Sequence, residues 1–179
     1  LNHIISEGTD PRQNVVLMHG ILGSAKNWGG TIRRLRAAHP HCRFIAVDLR
    51  GHGESASVSG PHTVEACARD LNELLEDLQL KAQVVIGHSF GGKVALAYAQ
   101  NHGAELDAVW TLDSPPGPGV TASGQSFMEN LLRTLGEISM PAPSRQVVVN
   151  QLLDAGFAKS IGFWMTTNLR RVDDGFDWR

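Results

Sequence analysis

Cysteine, tyrosine, net charge and long apolar runs are all scarce in this chain. Two cysteines in 179 residues, Cys42 and Cys67, are too few for a disulfide framework and lack metal-site spacing. They are expected to be reduced, packed thiols. The formal charge is only −2, and no long block of one sign points to nucleic acid or a charged membrane surface. The densest basic run, Arg33-Arg34-Leu35-Arg36, falls on a predicted amphipathic helix and reads as its solvated face. No apolar stretch approaches the ~18 residues of a membrane span. The chain opens on Leu1 rather than Met, so its natural start is expected to be missing, with any targeting segment upstream. Histidine is unevenly spread: residues 3, 19, 39, 41, 52, 62, 88 and 102 are histidine, and none follows.

What is present alternates. VVLMHG (15–20), FIAVDL (44–49), VVIGHS (84–89) and AVWTLD (108–113) are short, branched, apolar and bounded by turn residues. Such runs suit strands buried on both faces of a parallel sheet. Amphipathic helices are predicted between them. Trp28, Ile32 and Leu35 mark the first; Cys67, Leu71, Leu74, Leu75 and Leu78 the second, with Thr63 as N-cap. The third starts at Phe90 and carries small residues that allow close packing on the sheet. This pattern argues for an α/β fold with a mostly parallel sheet and flanking helices.

After Asp113 the style changes. SPPGPGVTASG reads as a linker, and beyond it only helices are expected. Phe127, Leu131 and Leu135 mark one; Val148, Val149, Leu152 and Leu153 a second, N-capped by Ser144; Ile161, Trp164, Met165 and Leu169 a third. The expected division is a core over 1–119 and a helical region over 120–179.

Gly87-His88-Ser89-Phe90-Gly91 fits G-x-S-x-G between a predicted strand and a predicted helix. A sharp turn there strains the serine backbone and lifts its hydroxyl above the sheet. Glycines at 87 and 91 leave room for the turn, and the helix N-terminus favours developing negative charge. Ser89 is therefore the expected nucleophile. Gly20-Ile21-Leu22-Gly23 has no phosphate-loop spacing. With the preceding His19-Gly20 it suits an oxyanion loop, in which the backbone N–H groups of Ile21 and Phe90 receive a tetrahedral oxyanion. The cluster Asp48-Leu49-Arg50-Gly51-His52-Gly53-Glu54-Ser55 is expected to be a structural turn, its carboxylate and guanidinium tying down the loop.

The motifs IGHSFGGKVAL, LMHGILGS and VDLRGHGES, in this chain order, resemble the α/β-hydrolase superfamily over nearly the whole chain. TLDSPPG and SRQVVVNQLL…FWMTTNL are similar to the ABHD11/YbfF-type esterase group within it. The resemblance implies a serine hydrolase of short to medium acyl esters or acyl thioesters, working through an acyl-serine intermediate without cofactor or metal. It also implies a helical cap over 120–179 whose Phe127, Phe157, Phe163, Trp164 and Met165 form cap core and an apolar roof, and an intracellular location, the mitochondrion included. In this subgroup the triad acid ends the strand after the nucleophile helix, which is Asp113 here.

The superfamily's base is a histidine following the acid, and this sequence has none there. The expectation is a C-terminally truncated chain: further strands and the base beyond Arg179, an exposed sheet edge, and turnover reduced by up to roughly 10⁶-fold. A catalytically impaired binding or scaffolding protein is the alternative, and a covalent serine probe discriminates the two. Dehalogenase and epoxide hydrolase chemistries need a carboxylate where Ser89 stands, whereas a cofactor-free haloperoxidase shares the serine triad and stays open.

Overall fold

The computed structural model describes residues 1–117 and 122–178. It forms two compact units, Leu1–Pro116 and Gly117–Arg179. The boundary expected between 119 and 120 lies outside the described residues.

The first unit is a five-stranded sheet of β1 (His3–Glu7), β2 (Gln13–Met18), β3 (Cys42–Val47), β4 (Val84–His88) and β5 (Ala108–Leu112), in the order β1-β3-β2-β4-β5. Strands β2 to β5 run parallel, and β1 is antiparallel to β3. The interior strands are the apolar runs of the sequence, and their alternation divides the core into two faces. Val16, Met18, Ile45, Val47 and Val85 pack beneath α2 (Val64–Asp77) and α3 (Phe90–His102). Val15, Leu17, Phe44 and Ala46 turn to the other face, against Trp28 and the Ile32 of α1 (Gly29–Ala38). Helix α2 starts as its sequence predicts, with Thr63 accepting a hydrogen bond from the Ala66 N–H at 3.1 Å. Both cysteines are buried free thiols.

Two details of this unit differ from expectation. Trp28 lies not on α1 but on a preceding 3₁₀ turn, Ala25–Trp28, because the chain must bend before the helix can lie along the sheet. Strand β1 carries no strand signal in the sequence. Its HIISE run puts Ile4 and Ile5, adjacent in sequence, both on exposed positions of an edge, so it lacks the apolar alternation that signals a strand.

The second unit contains α4 (Ala122–Glu137), α5 (Arg145–Asp154) and α6 (Lys159–Thr166). Ser144 caps α5 by accepting from the Val147 N–H at 3.3 Å. The expectation of helices alone is overturned by a hairpin, β6 (Leu169–Val172) and β7 (Gly175–Trp178). Leu169 continues the Ile161/Met165 spacing, yet it opens β6 rather than extending α6. Arg145 holds the carbonyls of Thr166 and Leu169 and lies 5.0 Å from the Phe176 ring centroid, which fixes the point where helix gives way to strand. Asp173-Asp174 is the turn, and Gly175, at φ 143°, takes a conformation open essentially to glycine. Phe157 and Met165 are core residues of this unit, whereas Phe163 is 51% exposed and Phe127 and Trp164 are also exposed. The expected cap core therefore holds for only part of that aromatic set. Among the described residues no helix is long and apolar enough to cross a membrane.

Candidate active site

At the carboxyl end of β4 the chain turns directly into α3, and Ser89 is the turn. Its φ of 50° and ψ of −114° lie outside the regions a serine ordinarily occupies. The neighbours show why the turn is possible. A Cβ on Gly87 would stand 2.1 Å from the Gly91 carbonyl oxygen, and one on Gly91 would stand 2.5 Å from the Met18 carbonyl oxygen of β2. Helix α3 thus begins pressed onto the sheet, and Ser89 is pushed outward, half-buried.

The backbone N–H of Ser89 donates to the carbonyl of Leu112 at 2.9 Å. This bond joins the elbow to the last residue of β5, so Asp113 emerges beside it, exposed and also at φ 50°. The parallel pairing of His88 with Leu112 sets this placement. Neither feature was readable from the motif itself, because it depends on strand register.

The Gly20–Gly23 turn lies on the other side of the elbow. A Cβ on Gly20 would be 3.3 Å from the Ser89 Cβ and 2.9 Å from His88 Nδ1. Its backbone closes with the Gly23 N–H donating to Gly20 O at 3.0 Å, which leaves the Ile21 N–H without an acceptor in the loop. Phe90 is the first residue of α3, where helix geometry provides no intrahelical acceptor for its N–H. Ile21 and Phe90 thus lie in the two turns that meet at Gly20 and Ser89.

The Asp48–Ser55 loop is tied as expected, but its two charged anchors hold different partners. Asp48 accepts from Asn2 Nδ2 (2.7 Å), Ala25 N (2.6 Å) and Glu54 N (2.9 Å). Burial alone would raise its carboxyl; these three bonds outweigh that and hold it below its ordinary value. Arg50 instead forms a two-point ion pair with Asp70 of α2 and donates to Pro61 O at 2.8 Å. The loop carries His52 onto Phe90, ring centroids 6.1 Å apart, and to within 5.0 Å of His19. That aromatic support of the elbow was missed in the sequence, where His52 reads as a turn residue.

His19 is buried, and both its ring nitrogens are engaged: Nδ1–H donates to Gly20 O at 2.7 Å, and Nε2 accepts from Leu49 N at 3.0 Å. It braces the Gly20–Gly23 turn against the loop that follows β3. Burial lowers its pKa to about 4, with the neighbouring His52 adding to that effect and Gly20 and Asp48 opposing it. The native state therefore keeps His19 neutral while the unfolded chain protonates near pH 6.5. Stability is full above about 6.5 and is lost as pH falls toward 4, by on the order of 3 kcal/mol. Denaturant unfolding across this window should show that slope, and His19→Asn should flatten it. The loss due to Asp48 has the same sign but falls below its ordinary carboxyl value, so the two windows separate.

A family model described as alpha/beta hydrolase fold matches residues 13–136, a span that contains the elbow, the Gly20–Gly23 turn, the Asp48 loop and Asp113. The chain belongs to the α/β-hydrolase fold family. Over its full length this α/β-hydrolase chain is 29% identical to the sn-1-specific diacylglycerol lipase ABHD11 of Xenopus laevis, covering 57% of that protein. It is 27% identical to the Mus musculus protein of the same name, covering 58% of it. It thus spans somewhat over half the length of these curated relatives. A marine microorganism esterase shares the fold at a TM-score of 0.85 with 24% identity, over 99% of this chain and 68% of that one. A thermophilic esterase from Thermogutta terrifontis aligns at a TM-score of 0.60 with 29% identity, over 74% of this chain and 47% of that one.

Proposed function

We propose that this α/β-hydrolase chain carries the nucleophile, acid and oxyanion donors of a serine hydrolase acting on carboxylic esters or acyl thioesters. The observation that carries the reading is the strained Ser89 backbone, held between β4 and α3 by glycine contacts that a side chain would abolish. Strain of that kind, costing about 1–3 kcal/mol, persists where a function needs the geometry. In the proposed reaction Ser89 Oγ attacks the acyl carbonyl carbon, and its proton passes to an imidazole base. The carbonyl oxygen becomes an oxyanion received by the N–H groups of Ile21 and Phe90. The carbon–oxygen or carbon–sulfur bond then breaks, and the imidazolium gives its proton to the leaving alkoxide or thiolate. Water, deprotonated by the same base, hydrolyses the acyl-serine. Asp113 is assigned the orientation of the base and the stabilisation of its charged form. Because the similar curated proteins are named as diacylglycerol lipases, a glyceride ester is the first substrate to try.

A second reading rests on one observation, that no histidine follows Asp113 in these 179 residues. It takes the chain as a binding or scaffolding protein that keeps the fold without turnover. Incubation with a p-nitrophenyl acyl ester, with and without added imidazole, separates the two. The hydrolase reading expects an acyl mass increment on the peptide containing Ser89 and a release of p-nitrophenol that exceeds the imidazole-only rate and is lost in Ser89→Ala. Absence of Ser89 acylation under both conditions would refute it and favour the binding protein.

A further inference from the structure

A concave site lies at the opposite end of the sheet from Ser89. It is a groove of about 320 Å³, within the range of small-molecule sites, formed where the end of α2, the approach to β4 and the end of α3 meet. Ala82, just before β4, lines it, while Ser89 follows β4. A strand of this length puts about 17 Å between the two places. The groove takes no part in the chemistry proposed above.

Its lining is of two kinds. Leu75 and Leu80 make an apolar wall, and Tyr98, only 5% exposed, packs beside His102 with ring centroids 5.4 Å apart. Glu76 and Glu105 stand at the rim. Glu105 is engaged by Lys81 at 2.5 Å, whereas Glu76 receives only a neutral donor, Asn72 Nδ2, at 2.7 Å. The Tyr98 ring is buried, and its hydroxyl, which has no hydrogen-bond partner among the described residues, reaches solvent at the groove. Burial first, and then the charges of Glu105 and Glu76, hold that phenol above its ordinary value.

We propose that this groove binds an organic ammonium ion carrying a short alkyl chain. The chain would lie on Leu75 and Leu80, and the ammonium would donate to Glu76 and the Tyr98 oxygen beside the electron-rich ring of Tyr98. Charge selects the class. An anion would face Glu76 and Glu105 with Lys81 already committed, and a purely apolar ligand would leave the Tyr98 hydroxyl unpaired.

The test is a titration of the whole chain with hexylammonium chloride, sodium hexanoate and 1-hexanol at fixed ionic strength, followed by amide chemical shifts. Saturable shifts at Leu75, Tyr98 and His102 are expected for hexylammonium, with hexanoate and hexanol much weaker. Glu76→Gln, at an exposed position that leaves the fold intact, should weaken hexylammonium about two- to fivefold. Tyr98→Phe keeps the ring and should weaken it as well. Hexanoate or hexanol binding as tightly as hexylammonium, shifts that do not saturate, or full affinity in both variants would each overturn the proposal.

Discussion

Ser89→Ala is expected to abolish covalent labelling by a fluorophosphonate probe and to cut imidazole-supported ester turnover by about 10³-fold or more. It should change unfolding free energy by less than about 1 kcal/mol, because the Ser89 side chain makes no cap hydrogen bond to α3. Ser89→Gly provides the more discriminating comparison. Glycine also lacks the nucleophile, but it occupies φ 50° without the steric cost that serine bears there. Relief of strain worth about 1–3 kcal/mol should exceed the extra chain entropy glycine loses on folding, for a net gain on the order of 1 kcal/mol. An inert and more stable Ser89→Gly protein would mean that the native residue is kept for chemistry at the expense of stability. A glycine variant less stable than Ser89→Ala would show that the elbow is not strained, and the main support for the proposed nucleophile would fall.

Gly91→Ala should destabilise the first unit strongly. The added carbon would meet the carbonyl oxygens of Met18 and His19 at 2.5 and 2.6 Å, and these belong to the backbone at the end of the central strand β2. Neither α3 nor β2 can withdraw without opening the core face formed by Met18, Val85, Val94 and Ala95. A loss of at least about 3 kcal/mol is expected, and the variant's chemical denaturation midpoint should fall accordingly. Gly30→Ala is the control. Nothing lies within 4 Å of its new Cβ on α1, so the better helix propensity of alanine should add roughly 0.5–1 kcal/mol. Equal stability of Gly91→Ala and the parent would contradict the close approach of α3 to β2 on which the elbow depends.

The aromatic supports of the elbow belong to a different category of inference. His52 touches Phe90, and His19 bridges Gly20 and Leu49, through contacts between segments tens of residues apart. Asn2 reaches Asp48 for the same reason: β1 lies antiparallel beside β3 and delivers the start of the chain to the loop after it. Such partners carry no local sequence signal, because a histidine or an asparagine in a turn looks alike whether or not it is bonded. The hairpin β6–β7 shows the limit within a local stretch. Leu169 satisfies a helical spacing and a strand edge equally well, and the choice falls to Arg145, which lies on another helix and holds the carbonyls at the junction.

The four parallel strands, the three helices packed on them, the Thr63 and Ser144 caps and the serine-bearing turn were determined by sequence alone. Each rests on interactions within a few residues: apolar period, cap hydroxyl to nearby N–H, and glycine where a turn has no room for a side chain. Strand order, the tie from Ser89 to Leu112 that brings Asp113 to the elbow, the separate anchors of Asp48 and Arg50, and the groove around Tyr98 were decided only by tertiary structure. These depend on which distant segments lie side by side, and that is set by the simultaneous burial of both sheet faces rather than by any one stretch of the chain.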